Sequence, residues 1–379
     1  MTRVYLVRHG EAEGNLFRRA QGQYDGHITS LGEKQIALLT GRFRDVPLQA
    51  VYSSDLSRSV QTAQGILRAH PELEIKLDKR LREVHLGVWE DEPWGNIEHE
   101  GPEKLYYFNN VPEKWSVPGS ESFDALATRL REAILELAAK HEGGEIALCS
   151  HGMAIRAILL DTLRREGREV NPGHGDNTSV SILEVEGEHI HAAVLNDASH
   201  VPVELSTLAR QEWWKHEGSG ELNNMRIEPL RLPEEKEIYT DAYADAWRFA
   251  HGNLEGFEPQ PYYALACRHA QAHPRALVKV LRGEELAGVV ELDTQRISGG
   301  NTGWIVLLYL TEKMRSRGLA VQLLGHAVSV YRSMGRSAIR LHVSTENKKG
   351  IAFYERNGFR QVGIDAGVTA PLLLMERPI

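Results

Sequence analysis

Two apolar runs, Val4-Tyr5-Leu6-Val7 and Ile146-Ala147-Leu148-Cys149, stop abruptly at Arg8-His9-Gly10 and Ser150-His151-Gly152. A short apolar run without polar alternation reads as a strand buried on both faces. Around these two the first half of the chain alternates strand-like and helix-like segments. Residues 3–7, 50–53 and 145–149 read as strands, and residues 31–43, 56–69 and 122–140 as helices. The last helix carries Phe123, Leu126, Leu130, Ile134 and Leu137 at helical spacing. Residues 179–185 and 189–195 read as a closing pair of strands, and the Gly- and Pro-bearing stretch 91–118 as an irregular insertion. Such repetition predicts a mainly parallel sheet with helices on both faces.

At 379 residues the chain is long for one core, so two domains are expected. The lapse of pattern over 209–224, with Lys215-His216-Glu217-Gly218-Ser219-Gly220 after Trp213-Trp214, reads as a linker. That divides the chain into residues 1–208 and 225–379. The second part reads as a helix over 239–250, strands near 276–281, 286–292 and 304–310, and a helix over 319–334. A strand over 338–343, a helix near 349–356 and strands near 359–362 and 371–375 follow. A net charge of −8 argues against a nucleic-acid partner, and no apolar run is long enough to span a membrane. Two distant cysteines, Cys149 and Cys267, and the absence of a leader pattern point to the cytoplasm.

The chemistry concentrates at strand ends, where open α/β sheets bind ligands. Imidazole can accept a phosphoryl group covalently, and guanidinium holds phosphate oxygens at two points. His9 is the candidate nucleophile, Arg8 and Arg58 the candidate clamps, and His151 a donor to a phosphate oxygen. Glu83, in Leu81-Arg82-Glu83-Val84-His85, is the candidate proton donor to the leaving alkoxide. Cys149, inside an apolar strand, reads as a buried small residue rather than a nucleophile. His99 reads as part of a solvated loop, and His189 and His191 as surface residues. Trp89, Trp94, Tyr106, Tyr107 and Trp115 suit either a substrate pocket or aromatic packing under a loop.

The runs LVRHGEAEGN, QGQYDGHITSLGEKQ, SSDLSRSVQTA, LREVHLGVWED, PGSESF and CSHG, in this order over about residues 3–200, resemble the histidine phosphatases of the phosphoglycerate mutase-like superfamily. The resemblance implies a mainly parallel three-layer α/β/α domain and a phosphohistidine on His9. It also implies a phosphate pocket of Arg8, Asn15, Arg58 and His151, with Glu83 as acid and then base. The substrate would be a small phosphorylated metabolite. His27-Ile28-Thr29 departs from the usual proline and leucine before the threonine and is expected to alter loop shape only. The modest stretch after Glu83 favours hydrolysis over phosphoglycerate mutase-type transfer.

In the second half, Leu308 to Ala320 reads as a strand, a turn and a helix start, whose backbone amides could cradle a pyrophosphate. With Asn347-Lys-Lys-Gly-Ile-Ala-Phe-Tyr354 and Asn357-Gly358-Phe359, it resembles the GCN5-related N-acetyltransferases (GNAT), a mixed-sheet α/β acyl-CoA N-acyltransferase fold. The resemblance implies acetyl-coenzyme A as cosubstrate, held at Leu308, Leu310, Arg315, Arg317, Gly318, Leu319, Ala320 and Asn347. Tyr354 would protonate the departing thiolate, and a small-molecule or peptide amine would accept the acetyl group. Ser316 stands where glycine is frequent. Glu291 is a candidate base, with a salt-bridged surface glutamate as the other reading. No metal constellation is seen in either half. The expected whole is a bifunctional enzyme; the alternative is a phosphatase regulated by a non-catalytic acetyl-CoA-sensing domain.

Overall fold

The computed structural model describes residues 1–211, 223–296, 301–367 and 370–379. The expected linker, with Trp213 and Trp214, lies outside the described residues except at its ends. The chain separates into two compact units, one of Met1–Glu92 and Ile97–Leu222, the other of Pro93–Asn96 and Asn223–Ile379.

In chain order the first part runs β1 (Thr2–Arg8), α1 (Glu13–Phe17), α2 (Ser30–Phe43), β2 (Leu48–Ser53), α3 (Ser57–Leu67) and β3 (Ile75–Leu77). It continues with α4 (Trp94–Glu100), α5 (Pro102–Asn110), α6 (Phe123–Ala139), β4 (Glu145–Ser150), α7 (Gly152–Arg165), β5 (Val180–Glu186) and β6 (His189–Asp197). The six strands order as β3-β2-β4-β1-β5-β6, the first four parallel and the last two antiparallel. Tyr5, Val7, Ala147 and Cys149 pack with Leu39, Phe43, Ala63 and Ile66 of α2 and α3. The alternate residues Val4, Leu6, Ile146 and Leu148 are equally buried on the other face, where α6 and α7 pack. Burial on both faces is why these strands lack polar alternation.

The insertion departs from the expected irregular loop, because α4 and α5 form within it. Pro102 supplies a first-turn start, and Trp89, Phe108 and Trp115 cluster with centroids 5.0–5.9 Å apart, Phe108 edge to face with both tryptophans. Those rings are core packing, while Tyr106 is exposed. His99 lies on α4, not in a loop, and is exposed. His189 and His191 are exposed on β6, with His191 Nδ1 contacting Glu166. Cys149 is fully buried, and burial raises its thiol pKa far above the ordinary value.

The second unit holds β7 (Arg226–Pro229), α8 (Lys236–His251), α9 (Pro259–Ala272), β8 (Leu277–Arg282), β9 (Glu285–Leu292) and β10 (Thr302–Leu310). Then come α10 (Ala320–Ser333), β11 (Ala338–Ser344), α11 (Lys348–Arg356), β12 (Arg360–Asp365) and β13 (Leu372–Pro378). The sheet order is β12-β13-β11-β10-β9-β8-β7, antiparallel except for β10 beside β11. Helix α9 has no counterpart in the sequence reading; its apolar residues Ala266, Tyr262 and Ala270 join Tyr239 and Ala242 of α8 over Leu277, Val289 and Leu307. The β10–β11 pairing ends at Ile305 opposite Leu341, and a register shift follows on β10 between Ile305 and Leu307. Beyond that point the two parallel strands part.

Candidate functional site

Strand register assembles the first site. Arg8 pairs with Ser150 and Ser53 with Cys149, so His9, His151 and Ser54 all leave the sheet at one edge. Helix α2 follows β1 on one face and α7 follows β4 on the other, the topology that opens a crevice between neighbouring strands. The His9 and His151 rings lie 5.3 Å apart between centroids.

His9 Nδ1 donates to the Gly10 carbonyl at 2.7 Å, which leaves the lone pair on Nε2. Arg58 Nε donates toward that nitrogen at 3.3 Å. Burial, then the charges of Arg58 and Arg8, hold the His9 pKa well below the ordinary imidazole value. The ring is therefore neutral near pH 7, with Nε2 unprotonated. Arg58 is itself fully buried, its Nη1 and Nη2 held by the carbonyls of Tyr24 (2.9 Å) and Gly22 (2.6 Å), and burial lowers its pKa to about 10.

His151 is fully buried, with Nε2 2.9 Å from Ser54 Oγ. That hydroxyl also accepts the Leu56 N–H at 3.3 Å; with its own proton turned to Nε2, the ring would carry its proton on Nδ1. Nδ1 is buried without a hydrogen-bond partner among the described residues, as is Arg8 Nε. Buried donors without acceptors are costly, and an oxyanion satisfies them. Arg8 donates through Nη1 to the Gly175 carbonyl, and a Cβ on Gly152 would lie 3.3 Å from Arg8 Cζ, so glycine there admits the guanidinium.

Glu83 sits against the start of α7. Its Oε1 accepts Val84 N at 2.9 Å and Ala154 N at 2.8 Å, and its Oε2 accepts Met153 N at 3.0 Å. Burial raises its pKa in spite of these donors and of Arg58. Asn15 Oδ1 accepts Ala12 N at 3.1 Å, capping α1, which leaves Nδ2 to donate. The altered His27-Ile28-Thr29 run still caps α2, Thr29 Oγ1 accepting Gly32 N at 3.1 Å and donating to Glu11 at 2.7 Å.

Several positioning residues had no signal in the motifs. Arg129 on α6 donates to the carbonyls of Arg80 (2.6 Å), Arg82 (2.8 Å) and Glu83 (3.0 Å) and so pins the segment bearing Glu83. Asn177 Nδ2 holds the His9 carbonyl at 2.9 Å. Asp176 offsets the charge of Arg8 and accepts the amides of Asn177, Thr207 and Leu208. Each acts through long-range contacts invisible to local spacing.

In the second unit, Ser316 (φ 60°) and Gly318 (φ 75°) are both left-handed, a conformation that turns successive amides to one side. Among the described residues the N–H groups of Ser316, Arg317, Gly318 and Leu319 have no backbone acceptor, and Ala320 opens α10. These amides fit a pyrophosphate. The parting of β10 from β11 past Ile305 exposes the strand that carries Leu308 and Leu310. Arg317 is exposed beside the turn.

Two side chains do other work than expected. Arg315 bonds Asp245 and the Leu310 carbonyl (2.9 Å) and lies over the rings of Phe249 and Tyr309, tying α8 to β10. Asn347 Oδ1 accepts Gly350 N at 2.8 Å and caps α11. Tyr354 is half-buried among Phe353 and Phe359, and burial raises its pKa to about 12, so it stays protonated near neutrality. Glu291 is not a surface residue: it is fully buried, with Tyr239 Oη at 2.9 Å and His269 Nδ1 at 2.7 Å.

The left-handed Ser316 leads to an expected result. A non-glycine residue there costs roughly 1–2 kcal/mol, and glycine gives back up to about 1 kcal/mol through the unfolded chain. Ser316→Gly should thus stabilise the full chain by at most about 2 kcal/mol, read as a higher denaturant midpoint. An unchanged or lower midpoint would show that the serine is unstrained.

A model described as the histidine phosphatase superfamily (branch 1) matches residues 4–198, and one described as the acetyltransferase (GNAT) family matches residues 236–359. The probable phosphoglycerate mutase GpmB of Yersinia enterocolitica is 39% identical over 166 residues, 43% of this chain and 75% of that protein. The corresponding Yersinia pestis protein is 40% identical over the same shares. Among solved structures, Bacillus stearothermophilus YhfR covers 53% of this chain and 99% of its own at 32% identity and a TM-score of 0.49. A mycobacterial glucosyl-3-phosphoglycerate phosphatase covers 52% and 99% at 26% identity and a TM-score of 0.47. With the first match spanning more than half of the 379 residues, and both in the order of the two sheets, the chain belongs to the histidine phosphatase superfamily and carries a GNAT domain after it.

Proposed function

We propose that the first unit hydrolyses phosphomonoesters through a phosphohistidine on His9. The observation that carries this is the tautomer: the Gly10 carbonyl takes the Nδ1 proton and leaves Nε2 bare beside Arg58. Arg8, Arg58, the His151 Nδ1–H and Asn15 Nδ2 would hold the phosphoryl oxygens. Nε2 attacks phosphorus as the ester P–O bond breaks, and Glu83 gives its proton to the departing alkoxide. The Glu83 carboxylate then takes a proton from the water that attacks the phosphorus. The P–N bond breaks, and inorganic phosphate and neutral His9 result. Trapping a phosphoramidate on His9 during turnover, together with phosphate release, tests the reading.

A second reading, phosphoryl transfer between positions of one metabolite, is favoured by relatives carrying the name probable phosphoglycerate mutase. Isomerisation of 3-phosphoglycerate without phosphate release would establish it.

For the second unit we infer acetyl-CoA-dependent acetylation of an amine. Acetyl-coenzyme A supplies an activated thioester acyl group when bound. The amides of residues 316–319 would hold its pyrophosphate, the freed edge of β10 at Leu308 and Leu310 its pantetheine arm, and Tyr354 a proton for the thiolate. Glu291, locked in a buried network, favours the charged form of His269, whose pKa it raises against burial. Calorimetric titration of the full chain with acetyl-coenzyme A should show saturable binding. No heat at millimolar cofactor would overturn this half.

A further inference from the structure

The run Gly87-Val88-Trp89-Glu90-Asp91 supplies a carboxylate that the mechanism above leaves idle. Glu90 is half-buried at the end of a short turn and accepts three backbone N–H groups. Its Oε1 takes Gln23 N and Leu86 N, each at 2.9 Å, and its Oε2 takes Tyr24 N at 3.0 Å. Charge-assisted bonds of this kind are among the stronger ones a side chain makes, and here they join the loop at 22–24 to the stretch that follows Glu83. The carboxylate is itself held still. Asp91 N donates to the Ala20 carbonyl at 3.0 Å, Ala20 N to the Glu92 carbonyl at 2.8 Å, and Arg19 Nε to Asp91 Oδ1 at 2.7 Å. Gly22 packs so closely that a Cβ there would lie 2.3 Å from Glu90 Oε1 and 2.6 Å from the Val84 carbonyl.

One of the three amides leads directly to the phosphate pocket. The carbonyl of Gly22 and the N–H of Gln23 belong to a single planar trans peptide group, in which they point in opposite directions. Glu90 Oε1 takes the N–H end, and Arg58 Nη2 donates to the C=O end at 2.6 Å. Hydrogen bonds at both ends of one peptide polarise and strengthen each other. Arg58 Nη1 is held by the carbonyl of Tyr24, whose own N–H Glu90 also takes. With both Nη atoms fixed, Nε is left facing His9 Nε2, the nitrogen that attacks phosphorus. The charges of Glu83 and Asp25 offset the buried guanidinium more than that of Glu90 does, so what Glu90 adds is its hold on this peptide.

We propose that Glu90 is a positioning residue for Arg58, setting the rotation of the guanidinium through the Gly22–Gln23 peptide. It acts through the backbone, outside the groups assigned to the phosphate. The proposal rests on the phosphomonoesterase reading for the part Arg58 plays in the chemistry.

The test measures kcat/KM for p-nitrophenyl phosphate and the denaturant midpoint on the full chain. Glu90→Ala removes all three acceptors and should lower kcat/KM by about 10²-fold, the scale on which a displacement of about 1 Å acts. Glu90→Gln keeps an Oε1 for Gln23 N and Leu86 N but turns an NH2 toward Tyr24 N. It should lower the midpoint, as Ala does, while kcat/KM stays within about fivefold of the parent. A carboxylate that merely stabilised the fold would make rate follow stability in both variants. In an Arg58→Ala background, Glu90→Ala should cost no more than about a further twofold, because the group it positions is gone. Should the doubly substituted chain not fold, the Ala and Gln variants decide the matter alone.

A Gln variant as slow as Ala, an Ala variant as fast as the parent, or losses that multiply in the double variant would each overturn the proposal. Inorganic phosphate binding, read by calorimetry in chains that also carry His9→Ala, should weaken with Glu90→Ala and hold with Glu90→Gln; equal affinity in all three would count against it in the same way. That measurement involves no turnover, so failure of the hydrolase reading, seen as no phosphoramidate on His9 in the parent, is not confused with failure of this one.

Discussion

His9→Ala is expected to lower phosphate release from p-nitrophenyl phosphate by on the order of 10⁴-fold or more, as loss of a covalent nucleophile does elsewhere. The geometry explains why no neighbour can take over. His151, the other imidazole in the pocket, is fully buried with Nε2 committed to Ser54. Cys149 is buried in β4 with its thiol pKa raised by burial. The cationic pocket survives the substitution, so the variant should still bind inorganic phosphate, which separates lost chemistry from lost folding. Full turnover in the variant, or no acid-labile phosphate on His9 in the parent, would remove the phosphohistidine from the account.

Which parts of this arrangement were legible in the chain follows from how each part is specified. Strands β1 and β4 were visible because burial on both faces demands continuous apolar residues, and their His-Gly ends marked the edge where they stop. That His9 and His151 become neighbours is set by the β1–β4 register, which only pairing across more than a hundred residues can determine. Ser54 and Arg129 were invisible for the same reason: each works through a contact far along the chain. Helices α4, α5 and α9 went unread because their apolar residues pack on one another and on distant rings rather than on a regular stripe. In the second unit the turn at 316–319 was legible from its glycine and helix start. The side chain of Arg315 was not, because its partner Asp245 lies on α8, seventy positions earlier.

The two units share one physical device. In each, the groups that would meet a ligand's phosphate are donors the fold leaves without acceptors: Arg8 Nε and His151 Nδ1 in the first, the amides of residues 316–319 in the second. The first pair is buried, and a buried donor left unmet costs about 1–3 kcal/mol; residues 316–318 are exposed, so solvent can satisfy their amides until a ligand replaces it. The chain is acidic overall, and anion binding depends on these local placements.

Glu83→Gln should lower kcat for alkyl phosphates by roughly 10²–10⁴-fold, the range for loss of a general acid. With p-nitrophenyl phosphate the same variant should behave differently, because nitrophenolate leaves without a proton. His9 would still be phosphorylated, but the water step would lack its base, giving a burst of one nitrophenolate per site followed by a slow rate. The pH dependence of the parent enzyme follows from the same carboxyl, whose pKa burial raises above the ordinary carboxylate range. For alkyl phosphates the protonated form is needed first, so activity should fall as pH rises through that pKa. For p-nitrophenyl phosphate, limited by the second step, the ionised form is needed, so activity should fall as pH drops through it. Both limbs should vanish in the Gln variant. Gln also places an NH2 against a backbone N–H of Val84, Met153 or Ala154, a mismatch worth about 1–3 kcal/mol of stability that lowers the melting point without producing a burst. A uniform loss on both substrates, with no burst and the pH limbs intact, would show that Glu83 holds the start of α7 in place and moves no proton.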